Sequence, residues 1–433
     1  MHTGDRRRTF HTEELTRVEG SGSLDVVVVG DEIVDLDFRM FEAPRFYEAI
    51  LRGRSYLEAP DITARICGIC PVAHQTSAAN AMERILAIDP GPSLRDLRHI
   101  LYLAEWIESH ALHVSLLHAP DFLGYPSAIA MAADFGDEVS RALRLKQAGN
   151  SLMALIGGRE IHPVNPRVGG FWKAPTRREL HRMAAELEWA LDAALDTVRL
   201  VAGFSFPDFE VGHEFVALHS PDEYAVLDGR IRSSAGVDID AREWDEVFVE
   251  EQVARSNALH ARVRGRGAYL TGPLARYTLN GEQLHPVARS AARSAGLDTI
   301  ERNPFKSIVV RSVEIVHAVA TILDILDRFV DPPVSYLEVP PRAGEGHGVS
   351  EAPRGLLYHR YVLDDEGTIT DARIVAPTSQ NQLPIEQDLR RLLPTILDQP
   401  DHLIRSRLEQ AVRNHDPCIS CAAHFLDLRI DRR

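Results

Sequence analysis

The chain has 433 residues, 45% of them hydrophobic, enough to bury one large core or two modest ones. Its formal charge of −15 argues against a nucleic-acid binder and for an acidic, soluble protein. No run of about 20 uncharged apolar residues is present to span a bilayer. Met1–Arg8 is charged with no apolar run behind it, so no signal peptide is expected.

In chain order, Leu24–Val29 and Ile33–Phe38 flank Gly30-Asp31 and predict a hairpin. Helical patterning then takes over. Ser93 with Asp96 resembles a capping box, and Leu94, Leu97, Leu101, Ala104 and Ile107 recur at helical spacing as far as Pro120. Thr176 with Glu179 opens a second amphipathic helix running to about Ala202. Asn303-Pro304 opens a third, strongly apolar one, Ile308–Val330, closed by Pro332-Pro333. A second hairpin is expected at Tyr358–Leu363 and Thr368–Val375, around Asp365-Glu366-Gly367. Residues 205–260 are mixed and acidic and give no clear pattern. Repeats and low-complexity linkers are absent from the sequence. These signals predict one mainly α domain over residues 1–433, with small β elements at its ends.

The chain has four cysteines, in two pairs at opposite ends: Cys67 and Cys70, then Cys418 and Cys421. Thiolates are soft ligands, and four of them suit zinc, iron–sulfur or a low-valent metal such as nickel. Zinc ribbons separate their pairs by roughly 15–20 residues, whereas nearly the whole protein lies between these. Disulfides are disfavoured, since a two-residue spacing suits metal or redox chemistry and a chain this long needs no staples. Spacing alone says metal, and leaves structural against catalytic open.

The flanking residues go further. Arg65-Ile-Cys67-Gly-Ile-Cys70-Pro-Val-Ala-His74 and Asp416-Pro-Cys418-Ile-Ser-Cys421-Ala-Ala-His424 together resemble the large subunit of [NiFe]-hydrogenase. The likeness extends through Arg17-Val-Glu19-Gly20, Phe41-Glu42, Gly157-Gly158-Arg159 with His162-Pro163, Glu351-Ala-Pro-Arg354-Gly355, and Pro377-Thr378 before Asn381. It implies a long helical bundle with both cysteine motifs brought together at its centre. It also implies heterolytic cleavage of H2 at a nickel–iron centre bearing cyanide and carbon monoxide. On this likeness Cys67 and Cys418 are terminal nickel ligands, while Cys70 and Cys421 bridge to iron. His74 supports a bridging sulfur. Glu19 relays protons from the terminal Cys418. Arg354 sits over the iron beside a cyanide, Thr378 donates to the other cyanide, and Asp416, or alternatively Asp121, orients Arg354. Glu42, His424 and the Ile374 carbonyl hold a magnesium-type ion.

The Pro71-Val-Ala-His74-Gln75 continuation and the moderate length resemble the cytoplasmic bidirectional, NAD(P)-linked heteromultimeric type. No GxGxxG follows a strand, and no cysteine is left for clusters. Iron–sulfur clusters, flavin and nicotinamide are therefore expected on partners: a small iron–sulfur subunit, a diaphorase and further iron–sulfur subunits. A maturation endopeptidase is expected to remove 425–433. Competing readings are a hydrogen-sensing regulator, a non-catalytic relative of complex I and a zinc-stabilised structural protein. His99, His110, His113 and His118 recur along one helix, and suggest either a second metal site or polar packing.

Overall fold

The computed structural model describes residues 7–423. The longest apolar patterns form the helical centre. Helix α2 (Pro92–Ala111) packs on α3 (Gly136–Gly157) and on the last long helix, α5 (Ser307–Arg328), which also covers α4 (Ala184–Ala202). Their contact faces are Leu, Ile, Val and Ala at helical spacing. Trp106, Ile107, Val313 and Val316 are fully buried among them.

Helix α1 (Pro71–Leu86) starts immediately after Cys70 with proline at its first position. Its second face meets a three-stranded antiparallel sheet of β8 (Gly344–Ala352), β9 (Gly355–Leu363) and β10 (Ile369–Val375). Gly346 and Gly348 make that approach possible. A Cβ there would fall 2.2 Å from Ala81 O and 1.9 Å from Ser77 O.

A second core joins the two ends of the chain. Strands β1 (Arg7–Thr12), β2 (Gly22–Val29) and β3 (Glu32–Met40) form one sheet whose Phe10, Val26, Val28 and Phe38 are buried. They pack with Ile385 and Leu389 of α6 (Gln382–Leu392) and Ile404 and Leu408 of α7 (Asp401–Asn414). This packing carries Glu19 and Glu42 to the C-terminal cysteine motif.

Both expected hairpins are present, each extended by a third strand. Small sheets also occur mid-chain: β4 (Glu214–His219), β5 (Arg230–Ser233), β6 (Asp238–Ile239) and β7 (Tyr269–Leu270) form one in the order β7-β4-β5-β6. The helix near Ser93 has no capping box. It begins at Pro92 behind Gly91, and Asp96 pairs with Arg328 instead. By contrast, Thr176 and Glu179 form the expected box. Helix α2 runs on through a π-helical turn, Leu112–His118, a rare geometry that is frequent at functional sites. None of the described helices is long and apolar enough to cross a membrane.

One buried ionic cluster braces the centre. Arg276 forks onto Glu314 at 2.7 and 2.8 Å and reaches Glu351 at 3.1 Å, all fully buried. Tyr224 adds a hydroxyl donor to Glu314. Removing the cation leaves two carboxylates facing each other in a dry interior, which costs about 3–5 kcal/mol. Arg276→Met is therefore expected to lower thermal stability markedly. A melting temperature equal to that of the parent chain would show that the cluster carries no stability.

Candidate metal centre

All four cysteine sulfurs are buried and lie within 4.8 Å of one another. The first cysteines of the two motifs face each other, Cys67 to Cys418, at 3.4 Å, and so do the second, Cys70 to Cys421, at 3.3 Å. Cys418 and Cys421 are 2.7 Å apart. The backbone sets the N-terminal pair: Ile69 and Cys70 N–H point at Cys67 Sγ from 3.3 and 3.4 Å. Glu105 of α2 accepts Val72 N–H at 2.6 Å and Ala73 N–H at 3.1 Å, satisfying two free donors at the start of α1.

Four sulfurs this close cannot all carry charge unaided. Hydrogen bonds from Cys418, Cys421 and Cys70 push the Cys67 thiol well down, so the first negative charge settles there. Cys418 and Cys421 also help the Cys70 thiolate, but Cys67 and burial outweigh them and carry Cys70 up to about 12. Burial raises Cys418 and Cys421 as well. A bound cation removes this repulsion, and thiolates are the form that binds soft metals. The donor set therefore fits a metal centre.

Glu19 stands directly against the sulfurs. Its Oε2 lies 3.1 Å from Cys418 Sγ and accepts Ser420 N–H at 3.0 Å, while its carbonyl accepts Ile419 N–H. Burial, and then the Cys67 charge, raise its pKa. Glu42 accepts from Ser420 Oγ at 2.8 Å. Between the two carboxylates Gly20 adopts φ +86°, and a Cβ there would lie 2.6 Å from Glu42 Oε2 and 2.7 Å from Ile419 Cβ.

Arg354 is buried near the C-terminal motif, with Nε 2.8 Å from Asp416 O and Nη2 3.1 Å from Asp416 Oδ1. Burial alone would lower its pKa; Asp416 and the sulfurs hold it well above the ordinary value, so it stays charged. Its third contact is Ser109 Oγ at 3.3 Å. Asp121, the alternative partner, is elsewhere: it takes Arg413 at 2.8 and 2.9 Å and Arg17 at 2.5 Å. Thr378 Oγ1 accepts Cys418 N–H at 2.9 Å. His74 Nδ1 lies 3.2 Å from His359 Nε2, and Ile374 N–H donates to Glu48 at 2.7 Å. His424 and residues 425–433 lie outside the described residues.

The histidine series does not converge. His110 Nε2 is 3.0 Å from Glu314, His113 Nε2 is 2.8 Å from Arg413 O, and the His118 ring packs tilted against His113 and edge-on to Phe122. Burial pushes all four pKa values down, His99 to about 4, as expected of neutral polar packing. Among the described residues only the four cysteines form a metal-ligand group. Ser109 and Glu105 escaped sequence reading. Glu105 did leave a signal, a carboxylate on the apolar face of α2.

Gly20→Ala is expected to displace the Glu19–Glu42 segment from the C-terminal motif and abolish metal retention. Normal metal content by elemental analysis would show that this contact is slack.

Comparison with known proteins agrees with the geometry. The nickel-dependent hydrogenase family matches residues 45–140 and 270–424. The chain is 32% identical to sulfhydrogenase 1 subunit alpha of Pyrococcus furiosus over 422 residues, 96% of this chain and 98% of that one. It is 27% identical to the NAD-reducing hydrogenase HoxS subunit beta of Cupriavidus necator, over 97% and 95% of the two chains. A solved NAD+-reducing [NiFe]-hydrogenase in the H2-reduced state superposes with TM-score 0.85 at 26% identity, covering 98% of this chain and 100% of that one. The Ni-Fe-Se hydrogenase of D. vulgaris Hildenborough shares the fold, with TM-score 0.79 at 23% identity over 97% of this chain and 100% of that one. Clustered sulfurs from both ends of the chain and matches along its whole length lead to one conclusion: the chain belongs to the nickel-dependent hydrogenase family.

Proposed function

We propose that this chain is the catalytic subunit of a cytoplasmic, NAD(P)-linked [NiFe]-hydrogenase, forming a single domain. The observation that carries this reading is the buried four-sulfur group with a carboxylate, Glu19, against Cys418 and a buried cation, Arg354, fixed by Asp416 two residues before Cys418. Cys67 and Cys418 would hold nickel, and Cys70 and Cys421 would bridge it to an iron bearing cyanide and carbon monoxide. When bound, such a centre supplies heterolytic cleavage of H2.

The protein's own groups handle the proton. Cys418 Sγ takes it first, and Glu19 Oε2, 3.1 Å away, receives it next. The raised pKa of Glu19 narrows the gap between the two groups, which favours transfer. Arg354 keeps its charge beside Asp416 and the sulfurs, and the two bonds from Asp416 fix its fork, so it would present rigid donors towards the iron. Thr378 uses an oxygen lone pair on Cys418 N–H and keeps its own hydroxyl proton to donate to a cyanide. His74 would brace a bridging sulfur. Glu42 is a hard ligand suited to a magnesium-type ion, with the Ile374 carbonyl and His424 as the other ligands.

Electrons would leave towards a small iron–sulfur subunit, then a diaphorase carrying flavin and further clusters. One surface abuts the N-terminal cysteine loop: His162 Nδ1 contacts Ala64 O at 2.7 Å, and Gln75 donates to Pro163 O at 2.6 Å. Ile161, Val164 and Trp172 are exposed in the neighbouring chain segments and would face that partner. The names of the relatives as subunits, one of them NAD-reducing, support this assembly. Removal of 425–433 by an endopeptidase belongs to the same reading.

Elemental analysis with infrared spectroscopy tests the centre. About one nickel and one iron, with cyanide and carbon monoxide bands, are expected; zinc alone without those bands would end the hydrogenase reading. Glu19→Gln, nearly isosteric, is expected to keep the metals and para/ortho-hydrogen conversion while solvent H/D exchange and turnover collapse. Full exchange in that variant would remove Glu19 from the proton path.

A further inference from the structure

Each of the four residues ahead of Pro417 is held by a different part of the fold. Arg413 is clamped by Asp121. The Asn414 carbonyl accepts from Ser307 Oγ at 2.7 Å and Arg311 Nη1 at 2.9 Å, both on α5. His415 Nε2 meets Asp388 Oδ2 of α6 at 2.9 Å, and Asp416 is held by Arg354. Such fixing answers a strain. Asp416 has φ +49°, a left-handed conformation that L side chains disfavour, and a residue before proline is normally extended. A strained residue persists only where its surroundings over-determine it.

Asp388 stands out among these anchors because it is doubly used. Its Oδ1 lies 2.6 Å from His213 Nε2, just before β4, so one carboxylate ties the mid-chain sheet to the C-terminal turn. All three side chains are buried. Two imidazoles presenting Nε2–H to one group require acceptors at both oxygens, which an ionised carboxylate supplies. Burial works against ionisation, but the bonds from His213 and then His415 hold Asp388 below its ordinary pKa. An amide at this position offers one acceptor and one donor, so one imidazole must lose its bond or change tautomer.

We propose that Asp388 is the positioning residue of the Asp416–Cys418 turn: by bridging His213 and His415 it seats the C-terminal cysteine pair against the N-terminal pair. The metal-retention consequence rests on the hydrogenase reading; the seating itself rests only on the fold. Cys67 and Cys70 have separate support from Glu105 at the start of α1. Loss of the bridge therefore frees one pair and not the other.

The test uses the full-length chain made without nickel, and follows iodoacetamide labelling of each cysteine by peptide mass spectrometry. Asp388→Asn is expected to speed labelling of Cys418 and Cys421 about tenfold, the effect of ~1.4 kcal/mol of local opening. Cys67 and Cys70 are expected to stay near the parent rate. His213→Asn removes only the outer bond and should give the same pattern more weakly, which covers the case in which Asp388→Asn does not fold. Arg276→Met, a general loosening, should speed all four together. Uniform labelling of the four cysteines in both clamp variants, or labelling like the parent, would overturn the proposal. In nickel-replete protein, Asp388→Asn should lose nickel to a chelator faster than the parent. A parent chain without nickel would remove the hydrogenase reading and leave the labelling result to judge Asp388 alone.

Discussion

Burying four thiol groups within a few ångströms of one another is the constraint on which the structure turns. Isolated from water, the group holds its first charge at Cys67 and resists the next, with Cys70 carried up to about 12. Burial and mutual repulsion act in the same direction, and the hydrogen bonds among the sulfurs outweigh burial only at Cys67. A soft cation reverses the balance, because metal–thiolate bonding replaces the lost hydration. The fold must then hold two distant motifs in register for that cation. It does so with two cores: one fixes Cys67 and Cys70 at the head of α1, and the other folds the N-terminal sheet onto the C-terminal helices.

Charge around the sulfurs is arranged asymmetrically. The side towards Arg354 carries a cation that Asp416 neutralises in part and orients, with Ser109 as its third contact. The side towards Glu19 carries a carboxyl group whose ionisation is discouraged by burial and by Cys67. An acceptor of raised pKa against one sulfur, and a permanently charged donor fork fixed by the residue two before Cys418, suit a reaction that separates a proton from an electron pair.

Much of this was legible in the sequence because the signals were local. The two hairpins follow from alternating apolar residues around turn residues, and the box at Thr176 from residue types at fixed spacing. Glu19, Arg354 and Asp416 were readable because each lies in a short motif, and the structure sets them beside the sulfurs. What escaped depends on long-range placement. Ser109 reaches Arg354 across 245 residues, and Glu105 meets α1 from a neighbouring helix. Asp121 was an alternative partner for Arg354, yet it sits in the helical turn Ala119–Leu123 and Arg413 and Arg17 claim it. Ser93 and Asp96 had the spacing of a cap, but Gly91 and Pro92 set the start of that helix. The sheet strands within 205–260 gave no pattern because β4 is a buried run without alternation and β5 and β6 are only four and two residues long.

The anchors of the C-terminal turn show why this site cannot be assembled locally. Asp121, Ser307, Arg311, Arg354 and Asp388 come from five positions spread over the chain, and together they hold the four residues ending in the left-handed Asp416. A strained residue tied from several directions has one arrangement rather than many, so the sulfurs it positions are fixed before any metal contributes. Preorganised donors lose little on binding, whereas flexible ones must be ordered at the same step. The cost of that arrangement is paid in buried polar groups far from the sulfurs, among them Asp388 between its two histidines. The geometry at Cys418 is accordingly a property of the whole domain.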